Sequence, residues 1–128
     1  ERMLMGNDPS LHDALRRLRQ SGVSLAIDDF GTGFSSLSRL RNLPVDTLKI
    51  DQSFVRELPT SASSAAIVNA IVDLAHGLSM TAVAEGVETA EQQRCLQSLG
   101  CRVMQGFYFA RPMPVAAFDR WLLQLLGR

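Results

Sequence analysis

Residues 80–104, MTAVAEGVETAEQQRCLQSLGCRVM, decide the fold class of this chain. The first five residues form a short apolar run that stops at an acid, which is typical of a buried strand. Thr89 and Gln92 have the spacing of a capping box, so a helix begins there and ends at Gly100. The last four residues are a second apolar run. Strand, helix and strand in this order predict a βα unit with parallel strands.

The same alternation of strands and helices extends through the rest of the chain. The predicted strands are residues 23–27, 47–50, 80–84 and 101–104. The predicted helices are residues 9–21, 62–78 and 89–99, with a shorter one through Leu37 and Leu40 and a last one after Pro114. Nearly continuous apolar strands are typical of a sheet that is covered on both faces. We therefore expect one α/β unit around a parallel sheet.

Composition and charge exclude several classes of protein. The 128 residues are 46% hydrophobic and 20% charged, which is sufficient to bury a core. Thirteen basic and thirteen acidic side chains cancel, so the chain has no overall field for coating DNA. No run approaches the about 18 apolar residues of a membrane span. Cys95 and Cys101 lack metal-ligand spacing and are interpreted as reduced thiols of a cytoplasmic protein.

Polar or ionisable residues lie at the carboxyl end of each predicted strand. They are Asp28 and Asp29, then Lys49 and Asp51, then Glu85, then Gln105. These strand ends share one edge of a parallel sheet or barrel, where such folds place their active sites. We therefore expect a functional site at that edge. The alternative is a set of helix caps and solvated loops, because acids are common in turns.

The residue types at this edge indicate metal-assisted chemistry. Carboxylate oxygens are preferred ligands of Mg²⁺ and Mn²⁺, and adjacent acids such as Asp28 and Asp29 can serve two ions. Two ions stabilise both the attacking and the leaving oxygen when a phosphodiester is displaced. Lys49 is placed to hold the attacking hydroxide, with a simple Asp–Lys ion pair as the alternative. Gly31 and Gly33 allow the next loop to bend close to a ligand or partner.

Five motifs resemble those of the EAL domain family. The run DDFGTGFSSL at 28–37 is similar to the family's DDFGTGYSSL, with Phe34 where tyrosine is more common. The others, in the family's order, are LPVD at 43–46, KID at 49–51, AEGVET at 84–89 and QGF at 105–107. Glu1 resembles the glutamate of a Thr-Glu-Ser motif, with Arg2 in place of the serine. The chain is thereby identified as a member of this family.

This resemblance implies a fold and an activity. EAL domains are modified (β/α)8 barrels, so the implied fold class is α/β, a partial TIM-like barrel with about four C-terminal βα units. Residues 1–128 are then the C-terminal half of the domain. Family members hydrolyse one phosphodiester bond of cyclic di-GMP to give linear pGpG, using two Mg²⁺ or Mn²⁺ ions. Sensory or GGDEF domains, and in some cases a membrane anchor, are expected elsewhere in the parent protein.

The resemblance also implies roles for individual residues. The metal ligands are Glu1, Asp28, Asp29 and Glu85. Lys49 contacts the nucleophilic water, and Glu85 also acts as a base. The positions on the substrate side or behind the ligands are Asp51, Glu88 and Gln105. The regulatory loop, which couples the site to a homodimer interface, consists of Phe30, Gly31, Thr32, Gly33, Phe34, Ser35 and Ser36.

Two metal ligands of the family fall upstream of Glu1, namely the glutamate of the Glu-Ala-Leu motif and an asparagine on the following strand. We therefore expect this chain alone to have negligible phosphodiesterase activity and the full-length protein to be active. Half a barrel also leaves open sheet edges and apolar faces. The isolated chain is accordingly expected to self-associate.

Three other interpretations compete with a hydrolase. The runner-up is a receptor that binds cyclic di-GMP without cutting it; such receptors often lose the paired acids, which this chain retains as Asp28 and Asp29. A docking half barrel without a nucleotide role does not explain the polar residues at four strand ends. An enolase-type enzyme also uses acids and lysine at strand ends, but it does not account for the run from 28 to 37.

Overall fold

Four parallel strands form one sheet, and they lie side by side in the order in which they occur along the chain. The computed structural model describes residues 8–33 and 36–127. The strands are β1 (Ala26–Phe30), β2 (Thr47–Ile50), β3 (Thr81–Ala84) and β4 (Val103–Met104). The helices are α1 (Pro9–Gln20), α2 (Leu37–Asn42), α3 (Gln52–Arg56), α4 (Ala62–Gly77), α5 (Ala90–Ser98) and α6 (Val115–Leu126).

The predicted α/β class and parallel sheet are confirmed. Each pair of neighbouring strands is joined through at least one helix, as parallel pairing requires. Sequential order without a reversal is the arrangement of a barrel segment, and the sheet is part of a barrel of the TIM type. No helix within residues 8–33 and 36–127 is both long and apolar enough to cross a membrane.

The helix starts follow from local hydrogen bonds that the sequence predicts. Asp8 caps α1, because its Oδ1 accepts from the Ser10 N–H at 3.0 Å. At α5 the capping box is formed in both directions. The Gln92 N–H donates to Thr89 Oγ1 at 3.1 Å, and Gln92 Oε1 accepts from the Thr89 N–H at 3.2 Å. These bonds satisfy backbone N–H groups that the first helical turn leaves without partners.

Two elements differ most from the sequence-based expectation, and β4 begins at Val103 rather than at residue 101. Strand β1 was expected at residues 23–27, ending before the acids, but it covers Ala26–Phe30 and contains both of them. Asp28 and Asp29 belong to the strand because β1 pairs with β2 on both sides of them, at Ile27 and at Phe30. Helix α3 was not predicted, because five residues are too short to show helical periodicity. Its cap is Asp51, whose Oδ2 accepts from the Ser53 N–H at 2.9 Å.

The hydrophobic core lies between the middle of the sheet and the helix α4, which packs on β2 and β3. Its central members are Leu48, Ile50, Ala82, Ala84, Val68, Ile71, Val72, Ala75 and Leu96. This core holds the carboxyl ends of β2 and β3 rigidly side by side.

By contrast, α6 has no buried residue among those described, and Val115, Leu123 and Leu126 are largely exposed. The predicted self-association remains a prediction.

Candidate active site

A bulge in β1 turns two successive acids to the same side of the sheet. Ile27 pairs with Leu48 and Phe30 with Ile50, so Asp28 and Asp29 together stand opposite a single residue of β2. Neighbouring side chains of a regular strand point to opposite faces, whereas an extra residue breaks that alternation. Both acids are exposed while the flanking residues are buried. The bulge therefore presents a pair of carboxylates.

The bulge requires an unusual backbone conformation at its second acid. Asp29 has φ +51°, in the left-handed region. Aspartate and asparagine occupy this region more readily than other residues with a side chain. The Asp29 N–H donates to Asp28 Oδ1 at 2.9 Å, and the Thr32 hydroxyl donates to the Asp29 carbonyl at 2.8 Å. These bonds fix the turn that follows the acids.

A third carboxylate comes from the end of β3, which is separated from β1 by β2. Glu85 directly follows β3, and one oxygen each of Asp28, Asp29 and Glu85 lies within 4.8 Å of the others. These three acids are called the acid cluster below. Three carboxylate oxygens at this spacing can share a hard divalent cation, which prefers oxygen ligands.

Lys49 lies between the acids. Its Nζ is 2.5 Å from Glu85 Oε1 and 3.5 Å from Asp28 Oδ1. The residue belongs to β2, pairs with Val83 of β3 and stands opposite the bulge, so the sheet register places it centrally. The hydrogen bond to Glu85, and after it the charges of Glu85 and Asp28, raise the pKa of Lys49 above its ordinary value. The lysine is therefore a stable cation in the site.

One lysine does not offset all the negative charge. The pKa of Asp29 is raised, first by the neighbouring charge of Asp28, then by burial, and then by Asp51 and Glu85. The pKa of Asp51 is lowered, chiefly by its hydrogen bonds from Ser53. Asp51 is thus a helix cap whose charge also acts on Asp29 of the acid cluster. A divalent cation would relieve the repulsion felt by Asp29, so the residues present fit a metal.

A cleft of about 280 Å³ opens beside the acid cluster. Its lining comprises Asp29, Gln52, Glu85, Gly86, Glu88, Gln105, Gly106 and Phe107. Its wall is rigid because the backbones of two loops touch. A Cβ on Gly106 would lie 2.1 Å from the Val87 carbonyl oxygen, and the Val87 N–H donates to the Gln105 carbonyl at 3.1 Å. Amide and carboxylate side chains thus meet in one concave site.

Comparison with known proteins identifies the family. The EAL domain model matches residues 1–112. The chain belongs to the EAL domain family.

Three relatives illustrate the match to this EAL chain. It is 48% identical over 122 residues to the cyclic di-GMP phosphodiesterase NbdA of Pseudomonas aeruginosa, covering 95% of the chain and 16% of NbdA. It matches the PaMucR phosphodiesterase in complex with c-di-GMP with a TM-score of 0.83 and 47% identity, over 89% of this chain and 46% of that one. It also matches Klebsiella pneumoniae BlrP1, in its manganese and c-di-GMP complex, with a TM-score of 0.74 and 45% identity. This match covers 81% of this chain and 26% of the BlrP1 chain. The chain thus spans a small part of its curated relatives.

The structure brings together most of the residues that the sequence selected. Asp28, Asp29, Lys49 and Glu85 form one constellation. Glu88 and Gln105 line the cleft beside it. Asp51 caps α3 and is not part of the cleft lining, but its charge acts on Asp29. Glu1, together with Phe34 and Ser35 of the regulatory loop, lies outside the described residues.

Sequence reasoning missed two residues that shape this EAL site. Gln52 lines the cleft, and a Cβ on Gly86 would lie 2.7 Å from the Gln52 Cβ. Phe54 lies under the regulatory loop, since a Cβ on Gly31 would lie 2.7 Å from its ring. Both residues follow the KID motif directly, within the short helix that periodicity could not detect.

Proposed function

We propose that the full-length protein containing this chain is a cyclic di-GMP phosphodiesterase that hydrolyses one phosphodiester bond and releases linear pGpG. The observation that carries the proposal is the convergence of Asp28, Asp29 and Glu85 within 4.8 Å, with Lys49 between two of them. The named activity of NbdA and the c-di-GMP complexes of PaMucR and BlrP1 support the substrate.

The cofactors in this proposal are two Mg²⁺ or Mn²⁺ ions. Asp28, Asp29 and Glu85 would hold them, with Glu1 as a further ligand. The manganese and calcium complexes of BlrP1 support divalent cations in this family. When bound, such ions lower the pKa of a water molecule and offset charge on the phosphodiester.

The chain's own residues have separate tasks in the hydrolysis. Lys49 Nζ donates toward Asp28 and Glu85 and would orient the attacking water between them. Glu85 accepts the proton of that water as oxygen attacks phosphorus. The bond from phosphorus to the ribose 3′ oxygen breaks, because pGpG keeps its 5′ phosphate. The leaving 3′ oxygen takes a proton from solvent.

The remaining site residues position the substrate and the ligands. Glu88 and Gln105 line the cleft, so their carboxylate and amide are available to the nucleotide. Asp51 caps α3 by accepting from the Ser53 N–H, and it would act on the acid cluster through its charge on Asp29.

The domain organisation forms part of the same proposal. Residues 1–128 supply the C-terminal half of an EAL domain, which accords with the 46% of the PaMucR chain that they match. The half that precedes them supplies two further ligands, so this chain alone has negligible activity. A homodimer forms through the regulatory loop, and sensory or GGDEF domains lie elsewhere in a cytoplasmic region of the parent protein.

Turnover of cyclic di-GMP with Mn²⁺ tests the proposal. We expect the full-length protein to release pGpG, while the 128-residue chain and the full-length Asp28→Asn and Glu85→Gln variants do not. Asp119→Asn is the matched control, because Asp119 is an exposed acid on α6. Tight binding of cyclic di-GMP by the wild-type protein without any pGpG would instead establish the non-hydrolytic receptor.

A further inference from the structure

Phe107 is an exposed aromatic ring in a polar cleft. Its side chain is 50% exposed, and it lines the same cleft as Asp29, Glu85 and Gln105. It belongs to the QGF motif, yet the proposed hydrolysis gives it no task. A half-exposed phenylalanine gains less hydrophobic stabilisation than a buried one. Its ring is therefore accessible to a ligand that enters the cleft.

One face of the ring is already covered by a cation. The guanidinium carbon of Arg111 lies 4.4 Å from the centroid of the Phe107 ring. A guanidinium at this distance is attracted to the ring face and restricts the rotation of the side chain. Among the residues that the structure describes, Arg111 has no carboxylate within 4.0 Å. No ion pair among the described residues therefore competes with Phe107 for the Arg111 guanidinium.

The backbone that carries Phe107 is fixed relative to the acid cluster. Gly106 packs on Val87 so closely that no side chain fits between them. The Tyr108 N–H donates to the Val87 carbonyl at 3.0 Å, and the Phe109 N–H donates to the Gly106 carbonyl at 3.1 Å. The segment that holds Val87 begins at Glu85. A ligand in contact with Phe107 is therefore held in a defined position relative to Glu85.

We propose that Phe107, braced by Arg111, is a stacking platform for one planar purine base of the dinucleotide substrate. This inference rests on the proposed function and deepens it, because it assigns a residue to substrate affinity apart from the chemistry. A planar base has an apolar π face that stacks on an aromatic ring whatever its edge carries. The acid cluster would engage the phosphodiester while the ring holds a base.

Two substrates with a shared reaction but different bases separate this role from a structural one. Cyclic di-GMP carries purines, whereas methyl p-nitrophenyl phosphate is a phosphodiester without a nucleobase. The full-length protein is tested with Phe107→Ala, Phe107→Leu and Phe107→Tyr. The leucine keeps apolar volume without a ring, and the tyrosine keeps the ring. Phe118→Ala is the control, because Phe118 is a comparably exposed phenylalanine on α6.

Calorimetry in Ca²⁺ gives the Kd for cyclic di-GMP, and turnover in Mn²⁺ gives kcat/KM for the base-free ester. We expect alanine and leucine to raise the Kd from about 5-fold to about 100-fold, and tyrosine to stay within about 2-fold. None of the variants should change kcat/KM for the base-free ester by more than about 2-fold. Phe118→Ala should leave both quantities unchanged.

Two outcomes would overturn the inference. One is a wild-type Kd in Phe107→Ala; the other is an equal loss with both ligands together with a lower Tm, which would make Phe107 a packing residue. A wild-type protein that binds cyclic di-GMP without hydrolysing it defeats only the hydrolase assignment, since the Kd series still decides the role of Phe107. A wild-type protein that does not bind cyclic di-GMP defeats both.

Discussion

Lys49 Nζ lies 2.5 Å from Glu85 Oε1, across the neighbouring strands β2 and β3. The same Nζ is 3.5 Å from Asp28 Oδ1 on the other side, in β1. A single cation thus joins three adjacent strands at their carboxyl ends. This contact places Lys49 Nζ where it would orient the nucleophilic water.

Replacing Lys49 should impair the reaction more than the binding of substrate. Lys49→Met removes the cation while keeping an unbranched side chain. We expect kcat for cyclic di-GMP to fall by about 100-fold or more, because a water molecule loses its positioning donor. Steady-state kinetics with Mn²⁺ check this, with Arg120→Met on the exposed face of α6 as the control. A kcat within about 3-fold of wild type would remove Lys49 from the mechanism.

Removing one acid should have opposite effects on stability with and without metal. Asn tolerates the left-handed φ of Asp29, so Asp29→Asn changes the charge with little backbone strain. Without metal, the variant loses the repulsion that raises the pKa of Asp29, and we expect a higher Tm. With saturating Mn²⁺ it loses a ligand, and we expect a Tm below that of wild type in the same buffer. Differential scanning calorimetry in EDTA and in Mn²⁺ measures both; a shift of the same sign in the two buffers would contradict the prediction.

Two glycines should respond oppositely to alanine. A Cβ on Gly106 would lie 2.1 Å from the Val87 carbonyl oxygen, so Gly106→Ala should destabilise by about 3 kcal/mol or more. Nothing lies within 4 Å of a Cβ on Gly77, the last residue of α4. Gly77→Ala should therefore stabilise by about 0.5–1 kcal/mol. Urea unfolding compares the two variants with wild type, and equal effects would show that the contact between the 85–88 and 105–107 segments is wrong.

Asp46 should contribute to stability except in strong acid. The Leu25 N–H donates to its Oδ2 at 2.9 Å, and Arg19 lies 2.9 Å from its Oδ1. That hydrogen bond first, and then the Arg19 charge, lower the pKa of Asp46 below 3.8. Because the pKa is lowered on folding, this stabilisation is complete above pH 3.8 and is lost as the pH falls through the folded-state pKa.

The difference between wild type and Asp46→Ala checks this pH dependence. Unfolding free energies should differ at neutral pH and converge below the folded-state pKa. Asp13→Ala is the control, because Asp13 is an exposed acid on α1. A difference that stays constant down to the acid limit would mean that Asp46 acts through packing alone.

The sequence predicted the parallel sheet and the meeting of Asp28, Asp29, Lys49 and Glu85 at one edge of it, because polar residues follow or end successive strands. It could not predict the bulge, since the extra residue in β1 appears only when Ile27 and Phe30 pair with Leu48 and Ile50. The same pairing moved the strand boundary past the acids. The sequence did not predict helix α3, because five residues are too few to show helical periodicity. The contributions of Gln52 and Phe54, which lie in that helix, were therefore not predicted either.

Asp51 has two roles in the structure, because it caps α3 and its charge acts on Asp29. As a strand-end acid it was grouped with the site, and the competing interpretation was a helix cap. The structure shows a cap of α3 whose charge also acts on Asp29. Sequence alone does not separate these tasks, because both require an acid directly after a strand.

Anomalous diffraction from crystals of the full-length protein, or its complete EAL domain, grown with Mn²⁺ and cyclic di-GMP would locate the metal ions relative to the acid cluster. We expect manganese peaks within about 2.5 Å of carboxylate oxygens of Asp28, Asp29 and Glu85, next to a phosphate of the nucleotide. Peaks elsewhere, with these three acids bound only to water and to Lys49, would contradict this expectation.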